Sequence, residues 1–443
     1  MPALPAPRAA LLALALLLLT LTALPARAGL IRDPDIEHSL ARLAAPILTA
    51  AGLSPARVRI LVINDSKLNA FVADSAHIFI HSGLILKAES ADQLQAVIAH
   101  EAAHIANSHI ARRMANARNA RNVSLLGLML SAAAAVAGEG QLAGGLAAGT
   151  ASSAQRVFFA HTRAEEAAAD QSGARYLAAA GVDPHAAVEI LDIFRGQEAL
   201  SVSRQDPYNR THPLTNDRYR AMQAYAAGYK PKTGGDPTAA YWFARAQGKL
   251  SAFIRAPDWT LRRLDASATP DIKLMREAIA YHRKPDAARA TKTIAAAVAQ
   301  RPDDAFLREL QGQILLESRR PAEAVAAYAR AVDMRPSDPL ILGAYGRALL
   351  ALDNADGNVR ALRVLEKARA RDAASPSILR DLGQAYARAG RPAMASLAVA
   401  ERYALLGRFD DAAIHARRAA GQLPNGSPAR IRADDILRAA GKS

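Results

Sequence analysis

Proline recurs at similar intervals through the C-terminal part of this 443-residue chain, and this pattern limits the possible folds more than any other feature. Pro270, Pro302, Pro336 and Pro376 lie 32, 34 and 40 residues apart. A repeat of this length is typical of paired antiparallel helices that stack in a row. Each pair buries its apolar face only against neighbouring pairs, so the sequence predicts an all-α solenoid in this region.

Short motifs indicate which kind of repeat this is. The tetratricopeptide unit has about 34 residues and a Leu-Gly-x-x-Tyr core, and Leu382-Gly383 followed by Tyr386 matches that core. Gly390 and Gly407 lie 17 residues apart, which is half a repeat. The uneven spacing predicts about four to five units. Such arrays present a concave surface to other proteins; the alternative is a helical domain that only packs on its neighbour.

Composition also marks the boundary before the repeats. The stretch from Gly228 to Pro237 is rich in glycine and proline, which is typical of a linker. A single hydrophobic core rarely grows beyond about 250 residues, so a chain of this length is expected to form more than one domain. The predicted division is a signal peptide at 1–28, a first folded domain at 29–227, a linker and connecting helix at 228–265, and the repeats at 266–443.

The first domain is predicted to be α+β, mostly helical with a small sheet. Ile36–Ala51 has apolar residues at helical spacing, whereas Val58–Ile63 and Ile78–His81 are short apolar runs typical of strands. Further helices are predicted at Gln93–Arg113 and Arg163–Ala180, the second ended by glycine and proline.

Two apolar segments bear on export and membrane contact. Arg8 precedes an apolar run from Ala9 to Leu24, and Ala26-Arg27-Ala28 has the small-x-small pattern of a cleavage site. The run is shorter than the roughly 20 residues of a membrane span, which favours a cleaved signal peptide over a retained anchor. Val123–Ala151 is too short and interrupted to cross a bilayer; we interpret it as an alanine-rich hairpin, with peripheral membrane contact as the alternative.

Composition narrows the chemistry that the chain can carry. It contains no cysteine, which excludes disulfides, cysteine nucleophiles, cysteine-ligated zinc and a lipid-modified cysteine. Any metal must therefore be held by histidines and carboxylates. The formal net charge is +15, but the arginines are dispersed among alanine-rich stretches without interleaved aromatic residues. No binding of nucleic acid is predicted. Contact with acidic proteins or an anionic membrane surface fits the charge better, and a basic surface that is only solvated is the favoured interpretation.

The run His100-Glu101-Ala102-Ala103-His104 carries the strongest chemical signal. On a helix, residues four apart lie on one face, so both imidazoles can reach one zinc ion. Glu101 follows the first histidine and is placed to act as a general base for water. Two surface histidines on a helix would be the plain alternative, but the apolar, helical residues before the run argue against it.

A catalytic zinc site needs a third protein ligand. His109 is a candidate, but the metzincin pattern requires glycine and histidine where this chain has Asn107 and Ile110. We therefore interpret His109 as a helix-surface residue or a support for a ligand. The remaining candidates are two adjacent carboxylates, Glu165 and Glu166.

Spacing favours Glu166 without deciding the matter. Glu166 and Asp170 are four residues apart on one predicted helix, so one carboxylate can ligate while the other orients a histidine. By position alone Glu165 competes, and acidic helix faces are often only solvated.

Residues 33–220 resemble the BepA-like and HtpX-like zinc metallopeptidases, gluzincin-type relatives of the CaaX prenyl protease. With the tetratricopeptide array attached, the likeness is to the BepA type. One position departs from the family, which usually has a glutamate where this chain has Ala168. The matching landmarks follow the family order: Arg32-Asp33-Pro34-Asp35-Ile36-Glu37, Asn69-Ala70-Phe71, Ile78-Phe79-Ile80-His81-Ser82-Gly83-Leu84, the His-Glu-x-x-His run, Glu166 with Asp170, and Thr211-His212-Pro213 with Arg218.

The resemblance implies a role for each matched residue. His100, His104 and Glu166 would be the ligands of one Zn²⁺ per chain, and Glu101 would be the catalytic base. Asp170 matches an aspartate that the family uses as proton donor or ligand orienter. We favour the orienter role, because an ionised aspartate is a poor acid near neutral pH.

Further roles follow from the same resemblance. His212 would approach zinc as a fourth ligand and hold the enzyme closed; the alternative is that it binds substrate or the transition state. Arg218, also a matched residue, is expected to stabilise the oxyanion. The strand that contains Ile78, Phe79 and Ile80 would be a sheet edge that pairs with an extended substrate. The alternative is an ordinary core strand.

The resemblance implies an exported, periplasmic zinc endopeptidase. Its substrates would be misassembled envelope proteins, and its partner the outer-membrane assembly machinery. Two rivals remain open: a chaperone or scaffold in which proteolysis is occasional, and a zinc hydrolase that does not cleave peptides.

Overall fold

The computed structural model of this chain describes residues 29–109, 163–195, 208 and 212–441. The predicted signal peptide and the segment Val123–Ala151 lie outside the described residues. Within the described ranges, no helix has both the length and the apolar character needed to span a membrane.

The first domain contains a four-stranded sheet. The two central strands, Arg59–Ile63 (β2) and His77–His81 (β4), run parallel, and the two outer strands are antiparallel to their neighbours. Each strand turns alternate side chains to the domain core, where Ile60 and Val62 meet Ile78 and Ile80. In spatial order the strands are Leu30–Ile31 (β1), Arg59–Ile63 (β2), His77–His81 (β4) and Ala70–Val72 (β3).

Strand β4 is internal, so the prediction that it forms the substrate-binding edge is wrong. Ile78 is in register with Ile60 of β2 on one side, and Ile80 is in register with Ala70 of β3 on the other. Because both sides of its backbone are paired, the segment Ile78, Phe79 and Ile80 cannot add a further strand. In the part of the chain that the structure describes, β1 and β3 are the outer strands.

Six helices of the first domain are described, and two of them show how local sequence sets their ends. Helix α1, Pro34–Ala50, begins after Asp33, whose side chain accepts hydrogen bonds from the backbone N–H groups of Asp35 and Ile36. Helix α3, Ala91–Ala106, begins after the N-cap residue Ser90. It ends earlier than the predicted Arg113, because Ser108 adopts a left-handed φ of 57°. The helices are Pro34–Ala50 (α1), Ser82–Lys87 (α2), Ala91–Ala106 (α3), Arg163–Ala179 (α4), His185–Phe194 (α5) and Asn216–Gly228 (α6).

Helix α7, Ala239–Ile254, belongs to both parts of the chain. Its Phe243, Ala246 and Leu250 lie in the core of the first domain. Its Ala252 lies in the first apolar cluster of the repeats. The predicted linker therefore contains a helix that joins two cores.

Beyond a short helix at Pro257–Leu261 (α8), five helical pairs follow within the described residues, in agreement with the predicted four to five units. Their first helices begin 35, 34, 37 and 33 residues apart. The longest interval arises because the second helix of the third pair has 17 residues, whereas the second helices of the first two pairs have 14. The pairs are Pro270–Arg283 (α9) with Ala287–Gln300 (α10), Ala305–Glu317 (α11) with Pro321–Met334 (α12), Pro339–Leu350 (α13) with Ala355–Arg371 (α14), Pro376–Arg388 (α15) with Pro392–Leu405 (α16), and Phe409–Ala420 (α17) with Pro428–Ala439 (α18).

Glycine allows the helices within a pair to pack closely. A Cβ atom on Gly312 would lie 2.7 Å from the ring of Tyr328, and one on Gly346 would lie 2.5 Å from Leu365 Cγ. The two glycines occupy the same place in successive units, so the repeat in sequence is a repeat in packing.

Two buried cations on α7 bind the first domain to the repeats. Arg245 Nε lies 2.7 Å from Asp35 Oδ1, while its Nη1 lies 2.5 Å from Asp304 Oδ2. Lys249 Nζ lies 2.9 Å from Asp33 Oδ2. Because these cations are almost fully buried, the first domain and the first repeats share a charged interface as well as α7.

Candidate metal centre and active site

Four side chains from three separate parts of the sequence lie close together: His100, His104, Glu166 and His212. One candidate ligand atom from each lies within 4.8 Å of all the others. The four residues are between 0% and 7% exposed. The three predicted ligands and the predicted auxiliary histidine therefore converge in the structure.

Helices α3 and α4 bring the ligands together. His100 and His104 lie one turn apart on α3, with their Nε2 atoms 3.0 Å apart. On α4, Gly173 shares a face with Glu166 and Asp170, and a Cβ atom there would lie 3.4 Å from the backbone nitrogen of His100. This close approach allows Glu166 to lie 3.5 Å from the Nε2 atom of each histidine.

The other nitrogen of His100 is held by Asp170. His100 Nδ1 lies 3.1 Å from Asp170 Oδ1, so Nε2 faces the ligand group. Burial alone would lower the pKa of His100, but its hydrogen bonds with Asp170 and Glu166 and their charges raise it to about 10. A carboxylate behind a ligating histidine is the arrangement expected when an outer residue orients a metal ligand.

The guanidinium of Arg218 is already bonded to neighbouring side chains and backbone oxygens. Its Nε and Nη2 donate to the two oxygens of Asp170 at 2.8 and 2.9 Å. Its Nη1 donates to the backbone oxygens of His212 and Pro213 at 3.2 and 2.8 Å and lies 3.0 Å from Glu166 Oε2. An oxyanion role would require some of these contacts to break, so the geometry fits a positioning role better.

His212 is held against the ligand group by Tyr208. Its Nδ1 lies 3.0 Å from Glu166 Oε1 and 3.3 Å from His100 Nε2. Its backbone N–H donates to the backbone carbonyl oxygen of Tyr208 at 2.8 Å, and the two rings pack with their centroids 4.7 Å apart. The imidazole therefore lies where a fourth protein ligand would complete a tetrahedral site.

Glu101 lies beside the four ligand candidates and is fully buried. Its Oε1 lies 3.5 Å from His212 Nε2. It follows His100 on α3 but is not part of the group with ligand spacing. A carboxylate next to a metal position, rather than in it, is placed to accept and return a proton.

The structure separates the residues that the sequence left in competition. Glu165 is only partly buried and lies outside the ligand group, whereas Glu166 is 1% exposed within it. His109 also lies outside the group, with its Nδ1 2.9 Å from the Nδ1 of His104. Ala168 stands where the family usually has a glutamate. Its backbone oxygen accepts a hydrogen bond from Asn107 Nδ2 at 3.5 Å.

The residues present fit a resident metal ion. Two imidazoles and a carboxylate, with a third imidazole beside them, form a nitrogen-and-oxygen donor set suited to zinc, which takes four ligands in a tetrahedron. The near-complete burial of these polar groups would be costly without an ion to bind them.

Tyr208 is a site residue that sequence reasoning missed. It is 3% exposed, packs on Phe194 and His212, and donates its backbone N–H to the Leu68 oxygen at 3.3 Å. Burial raises the pKa of its hydroxyl well above the usual range. The available signal was its position four residues before His212, where it caps the ring of the predicted auxiliary residue.

Two family models and several known proteins match the chain. Residues 31–226 match peptidase family M48, and residues 275–339 and 309–359 match the tetratricopeptide repeat. The beta-barrel assembly-enhancing protease of Escherichia coli is 26% identical over 417 residues, which cover 92% of this chain and 83% of that protein.

Two further comparisons cover less of the chain. A protein of Vibrio cholerae, provisionally given the same name, is 30% identical over 250 residues, which is 51% of this chain and 50% of that protein. The structure of MamA from Desulfovibrio magneticus covers 37% of this chain with 18% identity and a TM-score of 0.32.

The sequence match and the site agree in detail. The matched region contains all four ligand candidates, Glu101 and Asp170, and the helical pairs follow it. Residues 31–226 therefore belong to peptidase family M48 and form a metalloprotease domain, which is followed by tetratricopeptide repeats.

Proposed function

We propose that the chain is a periplasmic, zinc-dependent endopeptidase that degrades misfolded or misassembled envelope and outer-membrane proteins. The observation that carries the proposal is the convergence of His100, His104 and Glu166 with Glu101 beside them in a family M48 domain. Zinc, when bound, would act as a Lewis acid towards the scissile carbonyl and the attacking water.

Glu101 performs the proton transfers in this proposal. Its carboxylate accepts a proton from the attacking water and returns it to the leaving amine, so one residue serves as base and then as acid. Its buried position keeps bulk water from competing for the proton. His100, His104 and Glu166 would hold the metal, and Asp170 orients His100 through Nδ1.

Arg218 and His212 control access to the centre in the same proposal. Arg218 links Asp170 to the backbone oxygens of His212 and Pro213, so it ties the ligand shell to the segment that carries His212. As a fourth ligand, His212 would displace the catalytic water and hold the enzyme closed.

The extended substrate is proposed to pair with β3 rather than β4. β3, Ala70–Val72, is an outer strand of the sheet formed by the described residues, where it pairs with β4 and packs against α3. The backbone of Leu68, just before it, accepts a hydrogen bond from Tyr208, which caps His212. A peptide added to this strand would thus lie close to the ligand group.

The cellular role is proposed by analogy. The relatives of Escherichia coli and Yersinia pestis are named beta-barrel assembly-enhancing proteases. With the tetratricopeptide repeats as a surface for partners or substrates, the outer-membrane assembly machinery is the proposed partner.

Cleavage assays with matched protein samples test the function. Wild type should cleave casein and a misfolded barrel protein, should lose activity to a chelator, and should regain it when zinc is returned. Glu101→Gln should retain zinc and lose activity, by roughly a hundredfold or more. Cleavage by Glu101→Gln at the wild-type rate would contradict the mechanism.

A further inference from the structure

His109 contacts a metal ligand without joining the ligand group. Its Nδ1 lies 2.9 Å from His104 Nδ1, and the two rings meet edge to face with centroids 4.9 Å apart. The opposite nitrogen of His104, Nε2, lies 3.0 Å from His100 Nε2 and 3.5 Å from Glu166 Oε1. His104 thus faces the metal position with one nitrogen and His109 with the other.

The backbone is built to bring His109 back to this place. On a continuous helix, a residue five positions after His104 would lie about 140° around the axis from it. Instead α3 ends at Ala106, and Ser108 adopts a left-handed φ of 57°. The left-handed conformation is unfavourable for a residue other than glycine, and here it returns the chain so that the His109 ring is buried against His104.

Proton placement follows from the chemistry of a ligating imidazole. To bind a cation, His104 must present the lone pair of Nε2, so its remaining proton lies on Nδ1. That N–H needs an acceptor, because the surroundings exclude water and an unpaired buried donor is costly. His109 Nδ1, at 2.9 Å, is placed to offer that lone pair.

We propose that His109 is a positioning residue of the metal centre: it accepts the hydrogen bond of His104 Nδ1–H and so directs the Nε2 lone pair of His104 to the metal. The inference rests on the proposed zinc site. It also makes the support of the two ligands chemically different, since His100 is held by the carboxylate of Asp170 and His104 by a second imidazole.

Zinc affinity, measured by competition with a chelator, tests the inference without an activity assay. His109→Phe keeps a ring but removes the acceptor, whereas His109→Asn places a side-chain oxygen near the former Nδ1. His109→Phe should weaken zinc binding by roughly 10–100-fold, and His109→Asn should recover most of the loss. His185→Phe, at an exposed histidine, is the matched control and should bind like wild type.

Two added readouts separate local from global effects. Thermal unfolding of the metal-free variants reports the fold, and the visible spectrum of the cobalt-loaded proteins reports the ligand geometry, which should change in His109→Phe and return in His109→Asn. Wild-type zinc affinity in His109→Phe would overturn the inference, and so would equal losses in both variants. A wild-type chain that binds no zinc would instead overturn the proposed function on which the inference rests.

Discussion

Arg218 donates two parallel hydrogen bonds to Asp170, from Nε to Oδ2 at 2.8 Å and from Nη2 to Oδ1 at 2.9 Å. Asp170 in turn contacts Nδ1 of His100. Burial would raise the pKa of Asp170, but the charge of Arg218 and its hydrogen bonds with Arg218 and His100 lower it. The pair therefore keeps Asp170 ionised, as an orienting carboxylate must be and a proton donor must not.

The first prediction concerns the forked guanidinium of Arg218, whose replacement should reduce activity. In Arg218→Lys the charge remains, but a single ammonium cannot bind both Asp170 oxygens and the two backbone oxygens at once. We expect kcat/KM to fall by roughly 10–100-fold, together with weaker zinc binding. Arg220→Lys on the exposed side of the same helix is the control and should behave like wild type. Full activity in Arg218→Lys would exclude the positioning role.

The second prediction separates two adjacent carboxylates. Glu166→Gln removes a candidate ligand and should lose most of its zinc, because an amide is a much poorer ligand than a carboxylate. Glu165→Gln changes a partly buried residue outside the ligand group and should keep both zinc and activity. Metal content and peptidase rate are measured on both. Equal losses, or the reverse order, would show that Glu166 is not the ligand.

Local spacing predicted the two histidine ligands and narrowed the third to Glu165 or Glu166, and the family resemblance supplied the choice of Glu166. The four-residue intervals of His100 with His104 and of Glu166 with Asp170 each require only one helix, and both helices are present. The structure then shows why Glu166 joins the ligand group: it shares the face of Gly173 that packs against α3, whereas Glu165 lies outside the group. The repeats were predictable for the same reason, since each pair is local in sequence.

Features that depend on the order of elements in space were not predictable. The sequence of β4 identifies a strand but not its neighbours, so its internal position between β2 and β3 was missed. Arg245 and Lys249 look like ordinary basic residues on a helix, and only the packing of repeats against the first domain shows that they are buried. Tyr208 likewise gains its role from the chain path around His212.

The third prediction concerns pH and the interface between the domains. Glu309 of α11 is 6% exposed; burial raises its pKa to about 8, although Lys249 opposes the shift and Asp33 and Asp35 add to it. In the unfolded chain its pKa would be near 4.5. The folded state therefore binds a proton that the unfolded state releases, and stability falls as pH rises through about 8.

Unfolding of wild type and Glu309→Gln between pH 7 and 8.5 checks this sign. Wild type should lose stability over the range, by at most about 1.4 kcal/mol per pH unit. Glu309→Gln should be nearly independent of pH there and more stable than wild type at the upper end. Glu323→Gln, on the next helix and exposed, is the control. Identical pH profiles for wild type and Glu309→Gln would contradict the assignment.

The last prediction concerns closure of the site by His212. Its Nδ1 lies 3.3 Å from His100 Nε2, its Nε2 lies 3.5 Å from the proposed base Glu101, and Tyr208 holds the ring in place. A fourth imidazole would occupy the position that the catalytic water needs, so removing it should open the site. His212→Ala should keep zinc, because three ligands remain, and should cleave casein faster or with less selectivity than wild type.

His185→Ala serves as the surface control for His212→Ala. If His212 instead binds substrate or the transition state, kcat/KM will fall at full zinc occupancy. Reduced activity of His212→Ala on every substrate, with zinc retained, would therefore assign His212 to catalysis and remove it as a switch.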